Sequence, residues 1–231
     1  MHRTKRLVSW GTASSLACGA FLALAAVAAT VDVGSFGKNE PPAVAGKPVG
    51  GPWEWGDKPL PILQVYNDKE ISAMRASAAG PQASNKIVEA ALYHLKKPYE
   101  YGADGEEAID CSMLALKALA GAGIPSRRLP RSAADQFYHA VNVKKILAQV
   151  PQGEKPLPGD LVYFNFPSAK AKNRYLKISH VAIFMGPTFD RRQGIDLINA
   201  GPDFVQVVRI KYVNVVGVAR AVAAPASPRS R

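Results

Sequence analysis

One cysteine in this chain is placed where a nucleophile is expected. Cys18 and Cys111 are the only cysteines, and Cys18 lies in an apolar N-terminal run, so Cys111 stands alone in the remainder. A lone cysteine is either a small buried hydrophobe or a reactive thiol. Cys111 follows Asp110 at the predicted start of a helix, where backbone amides and the helix dipole lower a thiol pKa from about 8.5 to roughly 3.5 to 7.5. We therefore expect a thiolate nucleophile.

His180 is the best candidate for the base that such a nucleophile requires. It lies in an apolar strand-like segment, where alternation places it on one face with Ile178, Ala182 and Phe184. A buried histidine can have a purely structural role, but its combination with the lone cysteine favours catalysis.

A third polar residue would hold the imidazole through its other ring nitrogen. Asn199 lies on the following predicted strand between apolar residues and is the best placed. Asp196 is an alternative, although it is nearer the loop. An asparagine at a strand end is also common without any function.

The elements that must position these residues change in type along the chain. Apolar residues at helical spacing and capping residues predict three helices, which begin near Asn85, Asp110 and Ser132. After Pro158 the chain becomes rich in Val, Ile, Phe and Tyr between turn residues, which predicts strands. These are Leu161–Phe166, Ile178–Met185, Leu197–Ala200, Phe204–Ile210 and Val213–Val222. Helices followed by strands indicate an α+β domain with a central antiparallel sheet of about five to six strands.

The N-terminus has the pattern of an export signal. A basic start is followed by an uncharged, mostly apolar run from Leu7 to Ala29, and Ala26-Val27-Ala28 is typical of a signal peptidase site. We assign residues 1–28 to a signal peptide. The run is long enough to span a bilayer, so an uncleaved membrane anchor is the alternative. Either reading exports the chain to the periplasm, the extracellular space or the cell envelope.

Three further regions follow the signal. Six prolines and four glycines between Pro41 and Pro61 exclude a long helix, so residues 29–84 are assigned to an arm and linker, with a short strand at Ile62–Tyr66 and a short helix at Asp68–Ala78. Trp53 and Trp55 in this arm either pack on the domain or stack on sugars. Residues 85–222 form the predicted catalytic domain, and residues 223–231 a flexible basic tail.

Composition excludes several classes of protein. Two cysteines are too few for a disulfide scaffold or a multi-cysteine zinc module. The formal net charge of +11 suits solubility or an anionic envelope, and no nucleic-acid-binding motif accompanies it. The sequence implies no metal or cofactor and gives no indication of oligomeric state.

Six short motifs, in order, resemble the NlpC/P60 family of papain-like cysteine peptidases, which cut peptide bonds of bacterial peptidoglycan. The resemblance runs from about Lys86 to Val222. The motifs are Pro98-Tyr99-Glu100-Tyr101-Gly102, Asp110-Cys111-Ser112, Leu129-Pro130-Arg131-Ser132-Ala133-Ala134-Asp135-Gln136, Leu157-Pro158-Gly159-Asp160-Leu161-Val162-Tyr163-Phe164, Ser179-His180-Val181-Ala182-Ile183-Phe184 and Ile198-Asn199-Ala200.

The resemblance implies a role for each matched position. Cys111 is the nucleophile, His180 the base and Asn199 the third polar residue. A tyrosine that helps to hold the oxyanion corresponds to Tyr99. The substrate-binding positions, where the free amine of a stem peptide would bind, correspond to Asp110, Ser112 and Tyr101.

The chain also departs from the family pattern. Ala103 replaces a second glycine, Met113 replaces the glycine after Asp110-Cys111-Ser112, and Phe184 replaces a tyrosine. The interval between His180 and Asn199 is long and includes two arginines, Arg191-Arg192. Met113 could crowd the cleft, and the arginines could contact substrate carboxylates or remain solvated.

The sequence thus predicts an exported cysteine endopeptidase acting on peptidoglycan stem peptides, at the bond between γ-D-glutamate and the diamino acid. Two alternatives stay open. One is another papain-like amidase, acyltransferase or antibacterial effector. The other is a non-catalytic envelope protein that binds glycan or a partner.

Overall fold

The computed structural model describes residues 54–55, 58–59, 61–77, 82–201 and 203–222. The predicted signal or anchor, most of the Pro/Gly-rich arm including Trp53, the side chain of Trp55, and the basic tail lie outside the described residues. None of the described helices is long and apolar enough to cross a membrane.

The described residues contain four α-helices and nine strands, with three short 3₁₀ helices between them. In chain order they are β1 (Glu54–Trp55), β2 (Lys58–Pro59), β3 (Ile62–Val65), α1 (Asp68–Ser77), α2 (Gln82–Leu92), α3 (Cys111–Gly121), α4 (Ala133–Asn142), β4 (Leu147–Gln149), β5 (Leu161–Phe164), β6 (His180–Asp190), β7 (Gly194–Ala200), β8 (Val205–Ile210) and β9 (Val215–Ala221). The predicted α+β class and the order of the helices and strands are confirmed.

The central sheet has seven strands in the order β3-β8-β7-β6-β5-β9-β4, and every neighbouring pair is antiparallel. The sequence predicted five or six strands. The count was low because β4 has only three residues, too few to show alternation. The hairpin β1–β2 is a separate two-stranded sheet.

Side chains alternate between two apolar clusters on the two faces of the sheet. In β6, Val181 and Ile183 belong to the cluster that includes the buried residues of all four helices. Ala182 and Phe184 belong to the other cluster. This alternation is the expected period of a strand buried on both faces. Ile178, expected on the face of His180, joins the helix-side cluster because it precedes the strand.

The segment before α2 is part of the packed structure. β3 pairs with β8, and Ile71 and Met74 of α1 are buried in the helix-side cluster. The sequence predicted both elements but placed them in the N-terminal arm. We propose that the catalytic domain begins near Pro61.

The caps of α3 and α4 fix where these helices begin. The carboxylate of Asp110 accepts a hydrogen bond from the backbone N–H of Met113, and the hydroxyl of Ser132 accepts one from Asp135. Such caps satisfy amides that have no partner within the helix. Consequently α3 begins at Cys111, as its sequence predicted. α2 begins at Gln82, before its two expected caps, Ser84 and Asn85.

Candidate active site

The first pair of the candidate site joins two neighbouring strands. His180 is the first residue of β6 and Asn199 is near the end of β7. Nε2 of His180 lies 2.7 Å from Oδ1 of Asn199, and both side chains are almost completely buried. Because an amide oxygen can only accept, His180 donates through Nε2–H. This bond fixes the tautomer and assigns proton exchange to Nδ1.

The surroundings of His180 keep its imidazole neutral. Its ring centroid lies 5.9 Å from that of Phe164 and 6.0 Å from that of Phe166. Burial lowers the pKa of His180 to about 4, against the opposing effects of the Asn199 hydrogen bond and the Asp110 carboxylate. A low-dielectric site disfavours the charged form.

Cys111 reaches the same edge of the sheet from α3. Its sulfur interacts with the backbone of Val181, the residue after His180, and with the backbone of Ser112. Cys111 is a free cysteine, and its side chain is buried. The Cys111 side chain is thus held against the backbone of the residue that follows His180.

The charge state of Cys111 differs from the expectation. Burial first, and the Asp110 carboxylate second, raise the pKa of the thiol to about 12, although the backbone bonds and Arg131 act in the opposite direction. The helix N-terminus was expected to lower it. The cost of burying a thiolate and the negative charge on the preceding residue outweigh the effect of the helix N-terminus. The resting pair is therefore a neutral thiol and a neutral imidazole.

Both carboxylate oxygens of Asp110 accept hydrogen bonds from other residues of the chain. Arg131 donates to Oδ1 and Oδ2 at 2.9 Å each, and the backbone of Met113 donates to Oδ1 at 2.8 Å. The backbone N–H of Gly102 and the hydroxyl of Ser112 donate as well. Gly102 has a φ of +84°, which other residues rarely adopt, and this turn directs its amide to the carboxylate.

Ser112 belongs to the same network. Its hydroxyl accepts a hydrogen bond from Arg131 at 2.6 Å, and its carbonyl accepts one from Gln136 of α4 at 3.2 Å. The binding of a substrate amine by Asp110 and Ser112 stays a prediction. It would require an ammonium group to replace the arginine.

Two tyrosines border this network. Burial, together with Cys111 and Asp110, raises the pKa of Tyr99, so its phenol stays protonated and can donate. Tyr101 is half exposed, and its hydroxyl accepts a hydrogen bond from Arg174 at 2.8 Å. Tyr99 is thus near enough to Cys111 for the two to interact electrostatically, and Tyr101 lies on the solvent side of the loop.

The side chains of four other residues considered from the sequence make contacts away from His180. Asp196 is bonded to Arg209, Tyr66 and the backbone of Thr188 rather than to His180. Arg191-Arg192 lie in the turn after β6, at the opposite end of that strand from His180. Met113 lies against Gly105, where a Cβ would be 3.1 Å from the Met113 Cγ.

Sequence reasoning gave no role to Arg131, Lys170 or Arg174. Arg131 lies inside one of the six motifs, but its pair with Asp110 joins residues that are 21 positions apart in the chain. The contacts of Lys170 and Arg174 with Tyr101 join residues far apart in the chain. No local signal identifies such contacts.

Comparison with known proteins identifies the family. The NlpC/P60 family model matches residues 96–209. The "Probable endopeptidase p60" of Listeria monocytogenes is 33% identical over 100 residues, which cover 43% of this chain and 17% of that protein. The matched part is thus less than a fifth of the length of this relative. The resemblance found in the motifs is confirmed.

Two solved structures also match part of this chain. A Staphylococcus aureus protein described as similar to a lipoprotein of the NLP/P60 family is 25% identical, with a TM-score of 0.48, covering 63% of this chain and 43% of that one. RipD of Mycobacterium tuberculosis, described as a non-catalytic NlpC/p60 domain protein adapted to peptidoglycan binding, is 18% identical, with a TM-score of 0.43, covering 63% of this chain and 100% of that one.

Proposed function

Because residues 96–209 belong to the NlpC/P60 family, we propose that this chain is an exported cysteine endopeptidase that hydrolyses an amide bond in peptidoglycan stem peptides. The bond we assign is the one between γ-D-glutamate and the diamino acid. The cell envelope, including the periplasm or the extracellular face, is the corresponding location.

Two observations support this proposal: the hydrogen bond between His180 and Asn199, and the contact of the Cys111 sulfur with the backbone of the residue after His180. The 2.7 Å bond holds the imidazole in one tautomer. The sulfur interacts with the backbone of Val181, adjacent in the chain to that imidazole. A nucleophile, a base and a residue that orients the base are the minimum set for covalent amide hydrolysis.

In the first step the thiol attacks the scissile carbonyl carbon. Since the resting pair is neutral, Nδ1 of His180 accepts the thiol proton while the sulfur–carbon bond forms. The imidazolium is stabilised by its Nε2–H bond to Asn199, which favours the charged form. The carbonyl oxygen becomes an oxyanion, for which the Tyr99 hydroxyl and the backbone N–H of Cys111 are the proposed donors.

In the second step the carbon–nitrogen bond breaks. The imidazolium of His180 gives its proton to the departing amine, and the acyl group stays on Cys111 as a thioester. A water molecule then attacks this thioester while His180 accepts one of its protons. Return of that proton to the sulfur releases the carboxylic acid and regenerates the thiol.

The test is cleavage of purified muropeptides by the mature chain, followed by mass spectrometry. We expect two fragments split between γ-D-glutamate and the diamino acid. The matched control is Cys111→Ala, which should lower the rate by at least about 10³-fold without changing the thermal unfolding midpoint. Intact muropeptides after incubation with the native chain, or equal cleavage by the variant, would contradict the proposal.

One observation favours a second candidate, which is peptidoglycan binding without catalysis. The buried thiol has a pKa raised to about 12 and is a poor nucleophile until a base removes its proton. On this alternative the native chain and Cys111→Ala bind muropeptides with equal affinity and leave them intact. Fragments that match another amide bond would instead indicate a different papain-like amidase.

A further inference from the structure

The segment that leads into His180 is strongly basic. Residues 169–177, here called the basic segment, lie in the connection between β5 and β6. There is no Asp or Glu between Asp160 and Asp190. The cations of the basic segment are Lys170, Lys172, Arg174 and Lys177. Such a concentration of one charge beside a candidate active site attracts anions.

Two of these cations, Lys170 and Arg174, contact the side chain of Tyr101. Nζ of Lys170 lies 3.8 Å from the ring centroid of Tyr101, and Arg174 donates to the Tyr101 hydroxyl. The next residue, Gly102, donates its backbone N–H to Asp110, which precedes the nucleophile. Lys170 and Arg174 are therefore placed beside the start of α3.

Among the described residues, neither of these two cations has a carboxylate partner. In the part of the chain that the structure describes, no ion pair involves Lys170 or Arg174. The loop next to Tyr101 contains four acidic residues, none of which pairs with them: Glu100, Asp104, Glu106 and Glu107. Asp110, the buried carboxylate nearby, is paired with Arg131.

The basic segment is anchored rather than simply exposed. Tyr175 packs edge-on against Tyr138 of α4, with centroids 5.2 Å apart, and lies 6.5 Å from the ring of Phe137. At its end, the backbone N–H of Ser179 donates to the carbonyl of Phe164 in β5. These contacts hold the two cations in place before a ligand arrives, which reduces the entropy lost on binding.

We propose that Lys170 and Arg174, held by Tyr101, form a recognition site for a free carboxylate of the peptide substrate. This inference rests on the proposed function. A γ-linked glutamate uses its side-chain carboxyl in the scissile bond, so its α-carboxylate is free on the same residue. That carboxylate is the anion we assign to this site, where Arg174 supplies N–H donors and Lys170 a compact positive charge.

The experiment compares two synthetic stem peptides that differ in one group. One carries γ-linked D-glutamate with its α-carboxylate free, and the other carries the corresponding α-amide, D-isoglutamine. We expect kcat/KM to be about tenfold higher for the free acid, mainly through KM, and the difference to shrink at high salt. Lys170→Gln and Arg174→Gln should each reduce this preference, and the double variant should abolish it.

Lys172→Gln is the matched control, because Lys172 is an exposed cation of the same segment without contact to Tyr101. It should leave the preference intact. Equal cleavage of the two peptides by the wild-type chain would overturn the carboxylate site while the proposed hydrolysis stands. If neither peptide is cleaved, the hydrolysis proposal fails, and titration of both peptides into Cys111→Ala decides the recognition site. Equal affinities there would reject it, and tighter binding of the free acid would support it.

Discussion

Strand β7 carries two buried polar side chains, Asp196 and Asn199, whose surroundings differ. They are three residues apart. Asp196 pairs across the sheet with Arg209. Asn199 lies nearer the end of the strand and contacts His180.

The surroundings of Asp196, here called the Asp196 end, contain an ion pair in which both carboxylate oxygens accept hydrogen bonds. Arg209 donates to both carboxylate oxygens, the Tyr66 hydroxyl donates to Oδ1 at 2.6 Å, and the backbone of Thr188 donates to Oδ2 at 2.9 Å. These bonds join β8, the residue after β3 and Thr188 of β6. A buried ion pair whose polar atoms all have hydrogen-bond partners holds the surrounding segments in one arrangement.

The surroundings of Asn199, here called the Asn199 end, contain uncharged polar groups, and some of their atoms form no hydrogen bond within the described residues. Within the described residues, Nδ2 of Asn199 and Nε2 of Gln206 are buried without a hydrogen-bond partner. Both lie near Gly201, where a Cβ would be 3.2 Å and 3.1 Å from them. The pKa of His180 is lowered and that of Cys111 is raised, so neither group is charged at rest. Unlike the Asp196 end, this end keeps groups that can change protonation state.

The largest effect is expected from removing the base. His180→Ala should lower kcat for muropeptide cleavage by about 10²- to 10⁴-fold, because no other group in the proposed mechanism accepts the thiol proton. Mass spectrometry of the products over time measures this. If the variant retains more than a tenth of the wild-type rate, His180 is not the base. The proposed chemical difference between the Asn199 end and the Asp196 end would then be wrong.

At the other end, Asp196→Ala should affect stability rather than chemistry. It leaves the guanidinium of Arg209 partly buried without its carboxylate, which should lower the free energy of unfolding by about 3–5 kcal/mol. Urea denaturation followed by circular dichroism measures the loss. Asp203→Ala, at an exposed aspartate without a side-chain hydrogen bond in the described chain, is the control. A loss for Asp196→Ala no larger than for the control would contradict the assigned role.

Asn199→Ala should have an intermediate effect on activity. The imidazolium of the proposed first step would lose a hydrogen bond to a charged group, so kcat/KM should fall about ten- to a hundredfold. The measurement is initial rate against substrate concentration, with the unfolding midpoint as a check on folding. Unchanged kinetics would show that the bond to His180 has no part in the reaction.

The pH profile provides a finer comparison. His180 accepts a proton only when it is neutral, and its pKa is lowered to about 4, so kcat/KM should rise with pH through about 4 and then level off. In Asn199→Asp a carboxylate would favour the imidazolium, and the acid limb should move to higher pH. Use of the same substrate for both proteins cancels titration of the substrate. A wild-type limb at pH 6 or above would contradict the neutral resting pair.

The smallest effect is expected at Gln206. Its Nε2 has no partner among the described residues, so Gln206→Leu removes an unsatisfied polar group and should change the free energy of unfolding by less than about 1 kcal/mol. Denaturation under the conditions used for Asp196→Ala tests this. A loss of several kcal/mol would mean that the polar groups at this end are as structural as the Asp196 pair.

Much of the fold could be predicted from local patterns. The start of α3 after Asp110 and the cap of α4 at Ser132 follow from capping chemistry, which acts within a few residues. The alternation in β6 identified the faces of Ala182 and Phe184. β4 was missed because it is short, and the place of β3 at the sheet edge was missed because pairing with β8 is not encoded locally.

The types of the candidate catalytic residues and their order along the chain were determined by the sequence alone, since the motifs are short and contiguous. Only the tertiary structure decided their environment. The pairing of Asp110 with Arg131, the contacts of Lys170 and Arg174 with Tyr101, and the neutral state of Cys111 and His180 depend on which distant segments meet and how much water they exclude. Burial and partner distance set the energy of a charge, and neither quantity is a property of the residue or of its neighbours in the chain.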